Sequence, residues 1–262
     1  MTASPLRQER RNGVLILTNT AAPWNRMSFA YMDALEAAVD EAASDPEVRA
    51  LLITADGESH FSVGMDLKEL LNETPGRGGV DAVLDQRLRV LAKIESMDKP
   101  SVVTLFGYCL GGGLELPLAC HFRLAAAEGA QIGLPELDLG TVPAWGGTAR
   151  LTRCVGRDQA LNMILRRRLI DGPKALRIGL VHAVHPLAEL KAAALALAED
   201  LAAQPRPSVA GVLRCVVGTG HLPLAEALAV ERQAVHACLA SGNQDEGLRA
   251  FLEKRAPRFP QP

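Results

Sequence analysis

The chain has 262 residues, of which 48% are hydrophobic and 22% are charged, as is typical of a soluble globular protein with a sizeable core. The formal net charge of −2 argues against nucleic acid as the main partner. The five cysteines are far apart and include no C-x-x-C pair, which argues against a disulfide framework and a zinc site and favours a reducing compartment.

The N-terminal segment, residues 1–13 (MTASPLRQERRNG), lacks the long apolar core of a secretory signal. No later stretch supplies the roughly 18 uninterrupted apolar residues that a membrane-spanning helix needs. We therefore predict a cytoplasmic protein with no membrane partner.

Short runs of leucine and β-branched residues alternate with helical patterns in the first part of the chain. Residues 14–17 (VLIL), 48–54 (VRALLIT) and 101–105 (SVVTL) predict strands. Ser28 is a plausible N-cap, and the apolar residues after it follow a helical period. A second helix is predicted over residues 83–94. Strands that alternate with helices indicate an α/β fold.

Helical patterns dominate the chain from about Leu187 onward. Residues 187–204 are rich in alanine and leucine, a Gln-Pro break follows, and further helices are predicted over residues 224–240 and 244–254. Apolar helices of this kind mark interfaces when they are exposed. We therefore expect the protein to form a homo-oligomer.

Three consecutive glycines follow the strand at 101–105, in the stretch 107–120 (GYCLGGGLELPLAC). This pattern predicts a strand–loop–helix junction, where unpaired backbone N–H groups suit an oxyanion or a phosphate. Neither G-K-[ST] nor G-x-G-x-x-G occurs here, so the stretch is neither a Walker loop nor a dinucleotide fingerprint. A tight turn without function is the alternative.

Two glutamates lie in otherwise apolar stretches. Glu115 has leucines on both sides, and Glu136 follows Pro135. Because burying an unpaired carboxylate is costly, Glu115 either points outward or serves chemistry with a raised pKa. Glu136 and Asp138 are alternatively solvated loop acids. Two carboxylates that converge on one pocket are the minimum for paired acid/base work on a C=C bond.

A third stretch, residues 61–70 (FSVGMDLKEL), follows the predicted strand at 48–54. A turn with glycine opens a helix at Asp66, so backbone N–H groups of this turn are candidates for a second oxyanion donor. An ordinary strand-to-helix turn is the alternative.

Together these stretches resemble the crotonase family, the enoyl-CoA hydratase/isomerase superfamily. The resemblance continues through residues 133–156 (GLPELDLGTVPAWGGTARLTRCVG), 175–186 (ALRIGLVHAVHP) and the C-terminal EGLRAFLEKRAPRF, and it covers nearly the whole chain. It implies an α/β fold with a crotonase-like ββα spiral core that holds the active site, residues 1–200. Residues 201–262 are then a helical C-terminal region for trimerisation.

The resemblance also implies the reaction. The backbone N–H groups of Met65 and Gly112 match the family's oxyanion hole, and Glu115 and Glu136 match the two glutamates that bracket water in true hydratases. This implies an enoyl-CoA hydratase that adds water across the 2,3 double bond of an α,β-unsaturated acyl-CoA to give 3-hydroxyacyl-CoA. The family pattern assigns proton donation to Cα to Glu136 and activation of the water to Glu115.

The resemblance implies the substrate contacts less specifically than the catalytic groups. For the two lysines among them, Lys68 and Lys254, solvated surface charge is the alternative. No metal and no redox cofactor is implied, because the CoA thioester is itself the substrate. The implied substrate- and CoA-binding residues are Ser62, Val63, Gly64, Asp66, Lys68, Gly111, Ala144, Trp145 and Lys254.

Four positions depart from the family pattern. Met65 stands where simple hydratases often have alanine, and methionine also occurs there in relatives that act on aromatic acyl-CoAs. Ala144 and Trp145 replace a small, glycine-rich pair. His121 stands where aspartate is common, and we predict a structural role for it. These departures bear on the identity of the acyl group more than on the reaction.

Other readings of the sequence remain. An enoyl-CoA isomerase would need only one carboxylate, and another crotonase-type reaction on a bulky or aromatic acyl-CoA is a further alternative. An RNA-binding relative is disfavoured, because the first helix, with DALEAAVDEAASDPE at 33–47, is acidic. The family usually forms trimers or dimers of trimers, so the predicted homo-oligomer is a trimer or a hexamer.

Overall fold

A six-stranded sheet runs through the structure, a computed structural model that describes residues 4–259. The strands are β1 (Leu6–Arg11), β2 (Val14–Asn19), β3 (Ala50–Ala55), β4 (Ser101–Leu105), β5 (Tyr108–Leu110), β6 (Phe122–Ala126), β7 (Gln131–Gly133) and β8 (Ala183–His185). Their order in the large sheet is β1-β2-β3-β4-β6-β8, with β1 antiparallel to β2 and all other neighbours parallel. Strands β5 and β7 form a separate parallel pair.

Helices connect and cover these strands. They are α1 (Phe29–Ser44), α2 (Leu67–Glu73), α3 (Gly79–Ser96), α4 (Gly112–Leu118), α5 (Gly147–Val155), α6 (Arg157–Leu165), α7 (Gly172–Arg177), α8 (Leu187–Ala203), α9 (Arg206–Val216), α10 (Leu224–Ala240) and α11 (Asn243–Leu252). Short 3₁₀ turns occupy Thr74–Arg77 and Glu136–Leu139. The mixed α/β class and the parallel sheet predicted from the sequence are confirmed.

The middle of the large sheet is buried on both faces. All six positions of β3 (ALLITA) are buried, as expected for a parallel strand covered by helices. Helix α8 packs across β2, β3, β4 and β6. Its buried residues recur every four positions, and three of the four are alanines, which allow the helix axis to lie close to the sheet. They are Leu190, Ala194, Ala198 and Ala202.

The sequence predicted most of the strands and helices that surround the site. VLIL begins β2, VRALLIT covers all of β3 except its last residue, and SVVTL coincides with β4. Ser28 is the N-cap of α1, and its Oγ accepts a hydrogen bond from Tyr31 N at 3.0 Å. Helix α4 ends at Leu118, because residues from Phe122 onward pair with β4 as strand β6.

The C-terminal helices lie on the outside of the structure. Helix α8 ends at Ala203, so the predicted boundary at residue 200 falls inside its last turn, and the division into two regions remains a prediction. The predicted helices at 224–240 and 244–254 are present as α10 and α11. None of the residues of α10 is buried. Within residues 4–259, no helix is both long and apolar enough to cross a membrane.

The glycine-rich junction brings two backbone segments unusually close together. Gly111 has φ of 55°, a conformation that favours glycine. A Cβ on Gly113 would lie 2.4 Å from Ser62 O, closer than side-chain carbons approach a carbonyl. Ser62 also pairs with Cys109 of β5 in an isolated bridge. The missing side chain therefore lets the start of α4 pack directly on the segment that contains Ser62.

We expect Gly113→Ala to lower the free energy of unfolding by about 2 kcal/mol, because the added Cβ forces two backbones apart. Gly76→Ala is the matched control, since a Cβ at Gly76 meets nothing within 4 Å. Chemical denaturation of both variants measures the difference. Equal stability of the two variants would show that the backbone contact is not tight.

Candidate active site

One cavity of about 740 Å³ brings the predicted chemical groups together. Met65, Gly112, Glu115 and Glu136 all line it, although they come from three separate segments of the chain, with Gly112 and Glu115 both in α4. Most of its remaining wall is apolar and is formed by α2, α3 and the segment before α5. The cavity therefore combines two carboxylates and two backbone segments with a largely apolar surface.

The Met65 and Gly112 amides are positioned as a pair of free donors. Gly112 is the first residue of α4, so its N–H has no partner within the helix. Neither amide donates a hydrogen bond to any residue in the range 4–259. A Cβ on Gly64 would lie 3.4 Å from Gly112 N, which shows that the two backbones are adjacent. This arrangement can hold one carbonyl oxygen between two N–H groups.

The segment that carries Met65 is held by buried hydrogen bonds. Ser62 Oγ donates to Asn25 O at 2.7 Å and accepts from Gly64 N at 3.0 Å. Met27 N donates to Gly64 O at 2.8 Å. Asn25 Nδ2 in turn donates to His60 O at 2.7 Å. These bonds fix the direction of the Met65 amide before any ligand binds.

Glu115 is almost completely buried, with 2% of its surface exposed. Its Oε1 accepts hydrogen bonds from Trp145 N at 2.7 Å and from Gly147 N at 2.9 Å. A Cβ on Gly147 would lie 2.7 Å from the same oxygen, so only glycine fits there. The pKa of Glu115 is raised to about 7, mainly by burial and to a smaller extent by the nearby Glu136 carboxylate, while the two N–H bonds oppose the rise.

Arg150 holds the turn that carries these two amides. Its Nη1 donates to Trp145 O at 2.9 Å, and its Nη2 pairs with Glu95 Oε2 at 2.8 Å. The guanidinium also lowers the pKa of Glu115, although burial has the larger effect. No local sequence pattern identifies Arg150 or Gly147, because their hydrogen bonds to Trp145 and Glu115 join segments that are distant in the chain.

Glu136 begins the 3₁₀ turn after Pro135. Its Oε2 is buried and accepts no hydrogen bond from residues 4–259. A Cβ on Gly111 would lie 3.0 Å from its Oε1, so the bare glycine leaves room for this carboxylate. Burial raises the pKa of Glu136 above its ordinary value. The alternative, in which Glu136 is a solvated loop acid, is therefore not supported.

Several other predicted contact residues also line the cavity. They include Val63 and Gly64 beside Met65, and Gly111 beside Gly112. Ala144 and Trp145, from the segment before α5, also line it. The Trp145 ring lies so close to Gly112 that a Cβ there would be 2.5 Å from Cζ3.

The remaining predicted contact residues lie outside the cavity lining. Ser62 is fully buried behind it. Asp66 is the N-cap of α2 and accepts hydrogen bonds from the amides at its own helix start, including Lys68 N at 3.0 Å. The side chains of Lys68 and Lys254 are exposed. Their contact with CoA remains a prediction.

His121 has the structural role predicted for it. Its Nδ1 accepts a hydrogen bond from Ser101 N at 3.0 Å, and its Nε2 lies 3.1 Å from Glu95 O. The imidazole therefore links β4 to the end of α3, and it does not line the cavity.

The family model for enoyl-CoA hydratase/isomerase matches residues 9–262. The chain belongs to this family. The solved structure of an enoyl-CoA hydratase from Geobacillus kaustophilus superposes with a TM-score of 0.93 at 29% identity, covering 100% of this chain and 98% of that one. The crotonase fold predicted from the motifs is therefore confirmed.

Curated members of the enoyl-CoA hydratase/isomerase family match along almost their whole length. A probable enoyl-CoA hydratase of Bacillus subtilis is 36% identical over 249 residues, which cover 94% of this chain and 95% of that protein. A probable enoyl-CoA hydratase of Mycobacterium bovis is 34% identical over 264 residues, with 99% of both chains covered. These similarities support an enzyme of this family.

The raised pKa of Glu115 predicts a stability difference that depends on pH. The native state holds this proton more tightly than the unfolded chain, so native stability falls as pH rises from about 4.5 to about 7. Glu115→Gln removes that loss. We expect the free energy of unfolding of the variant, relative to that of the unmodified protein, to increase by up to about 3 kcal/mol as pH rises from 4.5 to 7. Denaturation at several pH values measures the gain, and a difference that is flat with pH would contradict the raised pKa.

Proposed function

We propose that the protein hydrates the 2,3 double bond of an α,β-unsaturated acyl-CoA and releases 3-hydroxyacyl-CoA. The observation that carries this proposal is the presence of Glu115 and Glu136 in one apolar cavity beside two free backbone N–H groups. Hydration needs both sets of groups, because a proton must be removed from water, another must be given to carbon, and an enolate must be stabilised between these events.

The thioester carbonyl is proposed to bind between the amides of Met65 and Gly112. As the oxygen of water adds to Cβ, negative charge moves onto the carbonyl oxygen, where both N–H groups stabilise it. One such donor is worth roughly 3–4 kcal/mol of barrier in comparable sites. The buried bonds of Ser62 support this role, since donors that are already oriented do not need to reorganise during the reaction.

The two carboxylates differ in a way that supports the proposed division of labour. Glu115 Oε1 accepts two backbone N–H bonds, which favour its ionised form, and this form takes the proton from water. Glu136 Oε2 has no hydrogen-bond donor within residues 4–259, so its neutral form is favoured. Protonated Glu136 then gives its proton to Cα. The two groups titrate as a coupled pair, so the assignment describes the reacting state.

An isomerase that moves the double bond with one carboxylate is the nearest alternative. It requires only one of the two glutamates, whereas the cavity contains both. RNA binding is disfavoured by the acidic face of α1, where the nearby basic side chains are paired with its carboxylates. These pairs are Asp33–Arg77, Glu36–Arg89 and Asp40–Lys93. The proposed reaction uses no metal and no redox cofactor.

Glu115→Gln and Glu136→Gln are each expected to reduce hydration of a 2-enoyl-CoA by at least about 10²-fold, because each removes a proton-transfer group. Asp138→Asn is the matched control. Asp138 also lines the cavity, but its carboxylate is paired with Arg167 at 2.8 Å. Loss of the conjugated thioester absorbance measures the rate.

Two outcomes would contradict the proposal. Near-normal hydration by both glutamine variants, with normal folding, would remove the carboxylates from the mechanism. Faster turnover of a 3-enoyl-CoA than of the matching 2-enoyl-CoA by the unmodified protein would identify an isomerase.

We also propose that a second copy of this chain covers the C-terminal helices. Leucines of α10 and α11 are exposed, with Leu224 at 74% and Leu252 at 79%. Phe251 is 80% exposed. Side chains of this kind are usually covered by a partner. A trimer or a dimer of trimers is the proposed assembly.

Light scattering of the unmodified protein is expected to give a mass of three or six chains. Phe251→Asp, which places a charge on the exposed apolar face, should weaken the assembly, whereas Glu253→Ala on the adjacent exposed residue should leave it unchanged. A monomer at micromolar concentration would contradict the proposed assembly.

A further inference from the structure

Arg87 of α3 is completely buried, with 0% of its surface exposed. Arginine is rarely buried unless a carboxylate pairs with it. No carboxylate of residues 4–259 forms an ion pair with Arg87. The three acids whose charges act on Arg87 have other partners, since Asp33 pairs with Arg77, Glu36 pairs with Arg89, and Glu69 accepts a hydrogen bond from Phe29 N.

The guanidinium also lacks a full set of hydrogen-bond acceptors. Its Nη1 donates to Gln86 Oε1, and its Nη2 lies 3.8 Å from Met65 Sδ, a weak acceptor. Its Nε is buried and has no acceptor among residues 4–259. The Phe29 and Trp145 rings lie 4.9 and 5.7 Å from the guanidinium carbon and provide cation–π attraction only.

Burial lowers the pKa of Arg87 to about 10, so the side chain remains charged at neutral pH. A buried charge with unused donors is costly, and the enclosing contacts do not remove that cost. The Arg87 guanidinium thus keeps N–H donors that an oxygen atom of a bound ligand can satisfy.

Arg87 lies next to the apolar wall that α3 contributes to the cavity. Val80, Val83 and Leu84 of α3 all line the cavity, and Arg87 is the next residue on the same helical face, at i, i+3, i+4 and i+7. Arg87 itself does not line the cavity. It therefore lies directly beyond the apolar wall that α3 provides.

Two residues separate the guanidinium from the open space of the cavity. Met65 and Trp145 both line the cavity and both contact Arg87. The Met65 side chain is unbranched and has three rotatable bonds, so a change of its rotamer can open a path between the cavity and Nη2. A carboxylate that entered by this path would replace the weak thioether contact with a charge-assisted bond.

We propose that Arg87 is a specificity residue that binds a carboxylate at the far end of the acyl chain, so that the preferred substrates are CoA monothioesters of α,β-unsaturated dicarboxylic acids. The hydration of such substrates rests on the proposed function, whereas the binding of their carboxylate to Arg87 does not. A planar carboxylate matches the forked donors of arginine, and it neutralises the charge that no residue of the described chain pairs with. The apolar wall before Arg87 accommodates the methylene groups of the chain.

Binding to the unmodified protein provides the first test. Titration calorimetry compares saturated succinyl-, glutaryl-, adipyl- and suberyl-CoA with the monoacid thioesters of the same chain length. At the length that reaches Arg87, we expect the terminal carboxylate to bind at least about tenfold more tightly, as one added charge-assisted bond predicts. Weaker binding of the carboxylate at every length would overturn the proposal.

Variants on α3 provide the second test. Arg87→Met should abolish the preference for a terminal carboxylate while leaving the affinity for monoacid thioesters within about threefold, and Arg87→Lys should retain part of the preference. Arg89→Met is the matched control, because Arg89 lies on the same helix but is exposed and paired with Glu36. Equal weakening of both ligand series by Arg87→Met would show a purely structural role and overturn the proposal.

The two proposals can fail separately. The saturated ligands cannot be hydrated, so their affinities report on Arg87 whether or not the enzyme is a hydratase. A carboxylate preference without hydration of any 2-enoyl-CoA would reject only the proposed reaction. Hydration without a carboxylate preference would reject only the role of Arg87. If Arg87→Met does not fold, as thermal unfolding would show, the ligand comparison on the unmodified protein decides.

Discussion

The hydrogen bonds from Trp145 N and Gly147 N to Glu115 Oε1 are the contact on which the geometry of the site depends. Without them the Glu115 carboxylate would be buried with no hydrogen-bond donor, which would cost several kcal/mol. They also join the start of α4 to the start of α5. Arg150 stabilises this junction by bonding the Trp145 carbonyl and Glu95. One pair of backbone bonds thus positions the carboxylate and the cavity wall together.

Glycine makes this arrangement sterically possible at three points. Gly147 leaves space for Glu115, Gly111 leaves space for Glu136, and Gly112 leaves space for the Trp145 ring. In each case a Cβ would lie within about 3 Å of the neighbouring group, so the close approach depends on the missing side chain. The glycine run therefore has a packing role as well as providing an N–H group.

The apolar wall affects the chemistry of the polar groups that it surrounds. Burial against it raises the pKa of both glutamates, and it brings the pKa of Glu115 to about 7. It also lowers the local dielectric constant, which strengthens the interaction between backbone N–H groups and a developing oxyanion. The same apolar surroundings destabilise the Arg87 guanidinium, because a buried cation loses its hydration unless an anion pairs with it.

Sequence patterns predicted the elements that have clear periodicity and missed those that are short. The runs at β2, β3 and β4 identify buried strands, and Ser28 identifies the start of α1. Strands β5 and β7 have three residues each, which is too few to show a period. Arg87 was missed for a different reason. A helical period places Arg87 on the same face as Val83, Val90 and Leu91, but the period alone does not show whether a long basic side chain stays buried or extends to solvent.

The sequence by itself determined the family and the α/β class, and it selected Glu115 and Glu136 as candidate acid/base residues, because each depends on residue types in a fixed order along the chain. Only the tertiary structure decided which amides hold Glu115, which oxygen of Glu136 lacks a donor, and where Arg87 lies. These features arise where segments far apart in sequence come within hydrogen-bonding distance. Their packing sets the distances and the burial on which the charges and pKa values depend.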